Sequence, residues 1–236
     1  STLYGVELDR MSAKIAGYLY PEANIQNIGF ERTNYPDGYF DVAIGNVPFG
    51  DYRVNDSVYN SHGFLIHDYF FAKTLDKLRA GGVAAYITTK GTMDKESTKV
   101  REFLFKKAEL LGAIRLPNTA FKNAGTKVTA DILFLQKREK EIENPEWIAV
   151  TEDAQGFRIN SYFVQHPEMI LGTMQEISGP YGMETTCVEK EGVPLGERLR
   201  AAISHITGHI PERVEEERAE FRYTGRKKGR YHSVPD

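Results

Sequence analysis

The chain has 236 residues, of which 41% are apolar and 11% aromatic, so a medium-sized domain with a substantial core is expected. The formal net charge of −3 gives no basic footprint from which nucleic-acid binding could be argued. A single cysteine, Cys187, excludes an internal disulfide, and no apolar run reaches the roughly 18 residues of a transmembrane helix. We therefore expect a cytoplasmic protein without a membrane partner.

Strands and helices alternate through the first 137 residues. The patterns predict helices over 10–20, 64–79 and 98–108, the second closed by Gly81-Gly82, and strands over 3–8, 24–30, 39–45, 83–89, 110–116 and 127–137. This order is typical of an α/β fold with a mostly parallel sheet covered by helices. No helix separates the last two strands, which favours an antiparallel final strand.

The composition changes after residue 137. A charged linker over 137–144 precedes a short strand pair at 147–150 and 157–163, then loops rich in Gly, Pro and Met, and a helix over 195–206. We predict three regions: a catalytic core at 1–138, a C-terminal extension at 139–221 and a basic, flexible tail at 222–236. Because the first strand starts almost at residue 1, we expect the chain to be part of a larger protein.

The sequence Asn46-Val47-Pro48-Phe49 directly follows the buried strand 39–45, and a polar loop over 51–63 comes next. In an open α/β sheet, chemistry lies just beyond the carboxyl ends of the strands. An amide, a rigid proline and an aromatic ring at that point indicate a candidate site covered by a mobile loop. The alternative interpretation is a turn with a core phenylalanine.

Two acidic residues also follow predicted strands. Glu7 lies where a carboxylate can accept hydrogen bonds from ribose hydroxyls, and Glu31 lies where one can accept from an adenine amino group. The alternatives are a charge favouring the start of the first helix for Glu7, and a solvated surface acid for Glu31. The six histidines lack the spacing of metal ligands.

Residues 46–49 resemble the Asn-Pro-Pro-Tyr/Phe motif of class I S-adenosylmethionine-dependent amino-methyltransferases, especially the adenine-N6 DNA methylases. The resemblance implies that the Asn46 side-chain oxygen and the Val47 carbonyl accept hydrogen bonds from the exocyclic amine, which pulls its nitrogen out of conjugation. It also implies that Phe49 stacks on an adenine flipped out of the duplex. Val47 departs from the motif, but Pro48 still holds its backbone extended.

The resemblance covers about residues 3–138 and implies that S-adenosylmethionine is the cofactor and DNA the substrate. It implies that Glu7 binds the ribose hydroxyls, Leu8 packs on the cofactor adenine and Glu31 lies near that adenine. Phe121 and Lys122 would lie near the target base. The final strand pair resembles the reversed hairpin of the methyltransferase sheet.

The family's first strand and its glycine-rich cofactor loop should precede Leu3, and this sequence lacks them. We therefore expect an incomplete cofactor cradle and doubtful activity for this chain alone. Residues 159–172 resemble a segment of very large bacterial proteins in which an N6-adenine methylase is fused to a helicase, often on mobile elements or phages. The partners so implied are the remaining N-terminal methylase segment and a helicase region.

Three alternatives stay open for the function. The same motif would suit methylation of guanine in RNA or of a glutamine side chain in a protein, because each nitrogen is conjugated. The third alternative is a non-catalytic DNA-binding or assembly module.

Overall fold

The computed structural model describes residues 2–179 and 182–213. Up to residue 137 the described chain contains six strands: β1 (Tyr4–Val6), β2 (Asn24–Gln26), β3 (Phe40–Asn46), β4 (Leu78–Thr89), β5 (Ala108–Leu116) and β6 (Ala130–Lys137). The helices of this region are α1 (Arg10–Leu19), α2 (Ile66–Lys77), α3 (Gly91–Asp94) and α4 (Lys99–Lys107). No helix in the described part of the chain is long and apolar enough to cross a membrane.

Four strands form one sheet in the order β3-β4-β6-β5. β3 and β4 are parallel, while β6 is antiparallel to both of its neighbours, β4 and β5. β3, β4 and β5 therefore all run in one direction, and β6 alone is reversed. This arrangement confirms the predicted mostly parallel α/β sheet with an antiparallel last strand.

A predicted helix and a predicted strand end earlier in the structure than the sequence indicated. Gly81-Gly82 were expected to close α2, but α2 ends at Lys77 and both glycines lie within β4. The pairing of β3 with β4 shifts register between Phe40 and Val42, and a Cβ atom at Gly82 would lie 3.0 Å from the Asp41 carbonyl oxygen. Glycine is therefore needed for the close approach of two strands. The strand predicted over 24–30 ends at Gln26, and a 3-10 turn, Phe30–Arg32, follows.

β1 and β2 form a separate parallel pair, and no described strand pairs with the outer edge of β3. The apolar stripe that predicted α1 is consequently exposed; its members are Met11, Ile15, Tyr18 and Leu19. On the open edge of β3, Val42 is 43% exposed and Ile44 is 79% exposed. Exposed apolar side chains on an unpaired strand are unusual, because such an edge pairs readily with other chains.

The C-terminal extension is more regular than expected. It contains β7 (Val150–Glu152), β8 (Arg158–Asn160), α5 (Ser161–Gln165), β9 (Gly172–Gly179), β10 (Gly182–Glu189) and α6 (Leu195–Ser204). The prediction of loops between 163 and 195 was wrong at β9 and β10, which form an antiparallel hairpin. Long-range contacts hold this hairpin. The backbone N–H of the buried Cys187 donates to Thr129 Oγ1 at 2.9 Å, and its backbone carbonyl accepts the Asn118 N–H at 2.7 Å.

The remaining differences are local. The strand predicted over 157–163 ends at Asn160, whose side chain accepts from the Tyr162 N–H at 2.9 Å and so starts α5. The basic tail predicted at 222–236 lies outside the described residues.

Candidate active site

The motif lies at the carboxyl end of β3. Asn46 is the last residue of the strand, and the Val47 N–H donates to the Ile87 carbonyl at 3.1 Å, which extends the pairing with β4 by one position. Proline has no N–H, so Val47 makes a backbone bond that a proline at this position could not make. Val47 is 3% exposed, whereas Asn46 is exposed and its carboxamide makes no hydrogen bond to a described residue.

A cavity of about 760 Å³ brings most of the predicted site residues together. It lies between the open edges of β1 and β3, and its walls include five predicted cofactor or catalytic residues besides Pro48: Glu7, Leu8, Glu31, Asn46 and Val47. These residues lie far apart in the sequence, and the fold gathers them around one space.

Three predicted site residues lie outside this cavity. Phe49 is half-buried and packs against the core. Phe121 is half-buried, and Lys122 is exposed at the start of the 3-10 turn Lys122–Ala124. None of the three is part of the cavity wall. Their roles toward a target base therefore stay predictions.

Glu7 is held by the turn between β1 and α1. Its Oε1 accepts the Asp9 N–H at 2.8 Å, and the Asn27 side chain donates to the Glu7 carbonyl at 2.8 Å and the Leu8 carbonyl at 2.9 Å. Asp9 in turn caps α1 by accepting the Ser12 N–H at 2.7 Å. Sequence reasoning missed Asn27, because its partners lie about twenty residues earlier in the chain.

Glu31 lies in the 3-10 turn that follows β2. Its carboxylate folds back over Gly29, where any Cβ atom would collide with it. A glycine two residues before the acid is the one local signal for this arrangement. Because it lacks a side chain, Gly29 lets the carboxylate stay at the cavity wall.

A buried ionic cluster lies at the carboxyl end of β5, the outer strand on the other side of the sheet from β3. Arg115 makes a bidentate ion pair with Asp131, with N–O distances of 2.9 and 2.8 Å, and lies 2.7 Å from Asp94. Its guanidinium also lies 4.2 Å from the centre of the Phe163 ring. Burial alone would lower the pKa of Arg115, but the charges of Asp131 and Asp94 outweigh burial and raise it. Arg115 therefore stays charged, and its contacts join β5 and β6 to α3 and α5.

Residues 2–165 match the family model described as N-6 DNA Methylase. The chain belongs to the N-6 DNA methylase family. A curated relative, Defense against restriction protein B of Escherichia phage P1, is 32% identical over 148 residues. That match covers 60% of this chain but only 6% of the relative, so the chain spans a small part of that protein's length.

Two solved structures are similar to part of this chain. A modification subunit assigned to a type I restriction enzyme of Vibrio vulnificus YJ016 has a TM-score of 0.50 at 20% identity, over 58% of this N-6 DNA methylase chain and 33% of its own. A protein assigned as a class I S-adenosylmethionine-dependent methyltransferase of Listeria monocytogenes has a TM-score of 0.49 at 21% identity. The match covers 61% of this chain and 47% of the Listeria protein. The Vibrio structure supports the methyltransferase-like fold that the sequence predicted.

Proposed function

We propose that this chain forms part of an enzyme that transfers a methyl group from S-adenosylmethionine to the N6 amino group of an adenine flipped out of DNA. One observation carries the proposal: Asn46 and Val47 border the same cavity as Glu7 and Glu31. A catalytic motif and two acids suited to a nucleoside thus meet around one space. Membership of the N-6 DNA methylase family supports this chemistry.

The described residues fit the nucleoside half of the cofactor. A carboxylate accepts hydrogen bonds from ribose hydroxyls, and Glu7 is pre-oriented for that role by the Asp9 N–H. Leu8 is 76% exposed beside it and offers an apolar surface for a purine ring. When bound, S-adenosylmethionine would supply an electrophilic methyl group.

The motif would prepare the acceptor nitrogen. The Asn46 carboxamide oxygen and the Val47 carbonyl would each accept one N–H of the adenine amine, so that its lone pair leaves the ring system. Because Val47 is fixed by its bond to Ile87, its carbonyl is already oriented before substrate binds. Most of the rate would come from this positioning, since the transfer itself is a direct displacement.

The product of the reaction tests this proposal. DNA, RNA and protein incubated with S-adenosylmethionine and a longer protein that contains this chain would be digested and analysed by mass spectrometry. We expect N6-methyl-2′-deoxyadenosine from the DNA and no modified product from RNA or protein. Methylated guanine from RNA, or methylated glutamine from protein, would replace the proposal with one of those activities. Calorimetry that detects no donor binding by the longer protein would favour a non-catalytic module.

We further propose that a strand from polypeptide outside residues 1–236 completes the cavity between β1 and β3. The Val47 N–H bonds to β4, so by strand alternation the backbone groups of Val42, Ile44 and Asn46 face the opposite, open edge. The Glu7 N–H bonds to β2, so by the same alternation the backbone N–H and C=O groups of Tyr4 and Val6 in β1 face away from β2, toward the cavity. The match to 6% of a phage relative supports such a partner, since related regions occur inside very long chains.

The variant Ile44→Lys tests this strand pairing. Ile44 is 79% exposed, so we expect the free energy of unfolding of the isolated chain to change by no more than about 0.5 kcal/mol. In the longer protein, hydrogen exchange at the Val42 and Ile44 amides is expected to be slow, and Ile44→Lys is expected to speed it. Ile203→Lys, at another exposed isoleucine, is the control. Equally fast exchange of the Val42 amide in the isolated chain and the longer protein would contradict the pairing.

A further inference from the structure

A buried lysine links two segments of the chain that border the cavity. Lys73, on α2, is 4% exposed. Its ammonium lies 3.0 Å from the Asp56 carboxylate and donates to the Glu31 carbonyl at 3.2 Å. The Phe30 ring centre is 5.2 Å away and the Tyr69 ring centre 5.8 Å, so aromatic faces enclose the charge. One cation therefore contacts two segments that are 25 residues apart in the chain and meet only in the fold.

Asp56 organises the loop that follows the motif. Its Oδ2 accepts the Tyr69 hydroxyl at 2.7 Å in addition to Lys73, and its Oδ1 accepts the Val58 N–H at 3.1 Å. Its carbonyl accepts the N–H groups of Tyr59 and Asn60, each at 2.9 Å. The 51–63 loop was predicted to be mobile, but the structure ties it to α2 through this carboxylate, through the Tyr59 hydroxyl, which donates to Asp76 at 2.7 Å, and through the Tyr52 carbonyl, which accepts the Ile66 N–H at 2.9 Å.

The same loop forms part of the cavity wall. Tyr52, Val54 and Asn55 border the same cavity as Glu31, and Asn55 directly precedes the carboxylate that Lys73 binds. A shift of Asp56 would therefore move Asn55 and the cavity wall that it shares with Asn46.

The Asp56 carboxylate remains ionised at neutral pH. Burial alone would raise the pKa of Asp56, but the hydrogen bonds from Tyr69 and Lys73, together with the Lys73 charge, outweigh burial and lower it. The side chains of Lys73 and Asp56 are only 5% and 10% exposed, so removal of either partner leaves a buried charge without compensation. The loop cannot leave α2 without that penalty.

We propose that Lys73 is a positioning residue that couples the Glu31 turn, residues 29–32, to the 51–63 loop. An occupant of the cavity that orders the turn would then also order the loop beside the motif. This inference rests on the proposed function only for the identity of that occupant, the methyl donor. The coupling itself is a property of the contacts made by one ammonium group.

Hydrogen exchange of the chain without ligand tests the coupling directly. Lys73→Met keeps the volume and removes the charge, and we expect exchange to rise by about tenfold or more in both the loop and the turn, with β4 unchanged. Lys73→Arg is expected to restore part of the protection. Lys77→Met is the matched control, since Lys77 is on the same helix and pairs with Asp37 at 2.6 Å, away from both segments.

Asp56→Asn gives a second test and serves if Lys73→Met does not fold. Asp56 makes no hydrogen bond or ion pair to residues 29–32, so it reaches them through Lys73 and through Tyr69, whose ring centre lies 6.1 Å from that of Phe30. We expect faster exchange in the turn as well as in the loop. A change confined to the loop would overturn the coupling, as would an equal rise throughout the described chain.

Addition of S-adenosylmethionine separates this inference from the proposed function. In a protein that binds the donor, exchange in the 51–63 loop is expected to slow, and Lys73→Met is expected to abolish that slowing while donor binding persists with a weaker Kd. Donor binding that leaves the loop unchanged would overturn the coupling. Absence of donor binding would contradict the proposed donor site, while the exchange of the ligand-free variants would still decide the role of Lys73.

Discussion

Asn46→Ala is expected to reduce methyl transfer by about 10²–10³-fold, a magnitude typical for removal of one group that stabilises a transition state. The amine nitrogen gains positive charge as it attacks the methyl group, so the Asn46 oxygen interacts more strongly in the transition state than in the ground state. The loss should therefore appear mainly in kcat, measured with labelled donor and DNA under single-turnover conditions.

The fold should tolerate this substitution. Asn46 is exposed and its side chain makes no hydrogen bond to a described residue, so the free energy of unfolding is expected to change by no more than about 0.5 kcal/mol. Asn144→Ala, at an exposed asparagine in the linker, is the control and should retain full activity. Transfer by Asn46→Ala at the rate of the unchanged protein would refute the assigned role of the motif.

Asp131→Asn is expected to destabilise the protein by about 3–5 kcal/mol, because it removes one partner of a buried ion pair and leaves the other charge uncompensated. Asp131 and Arg115 are both 0% exposed, and the described contacts would leave Arg115 only Asp94 as a charged partner. Urea unfolding followed by Trp147 fluorescence measures the change. Since Arg115 also packs on Phe163, we expect the extension to loosen with the sheet edge.

Glu96→Gln provides a matched comparison. Glu96 makes a bidentate pair with Arg158 at 2.8 and 3.0 Å, nearly the geometry of the buried pair, but these side chains are 69% and 52% exposed. Water and salt screen an exposed pair, so the free energy of unfolding of this variant should be close to that of the unchanged protein. Equal effects of Asp131→Asn and Glu96→Gln would show that burial does not decide the strength of these pairs.

Local sequence patterns predicted much of the fold and the central motif. Apolar alternation and helical spacing depend on neighbouring residues, so the strand before Asn46 and helix α1 could be recognised directly. The absence of a helix between β5 and β6 likewise indicated an antiparallel pair. Glu7 and Glu31 were recognised by their positions after strands, although their shared cavity was not visible from spacing.

Other features depend on contacts between distant segments. Cys187 meets Thr129 and Asn118 only after the chain returns to the sheet edge, so the β9–β10 hairpin had no local signal. Lys73 could not be recognised for the same reason, because in the local sequence it is one polar residue of a helix. Its role depends on Asp56 and the Glu31 carbonyl, which are 25 residues apart in the chain and which only the fold brings together.

The sequence by itself determined most of the order of strands and helices up to residue 137 and the position of Asn46-Val47-Pro48-Phe49 at a strand end, because both follow from side-chain periodicity and backbone sterics over a few residues. Only the tertiary structure decided which side chains surround the cavity, which apolar stripe stays uncovered and which buried charges are paired. Those outcomes depend on how the chain folds back on itself, and on the free energy of burying each group beside partners that local patterns do not specify.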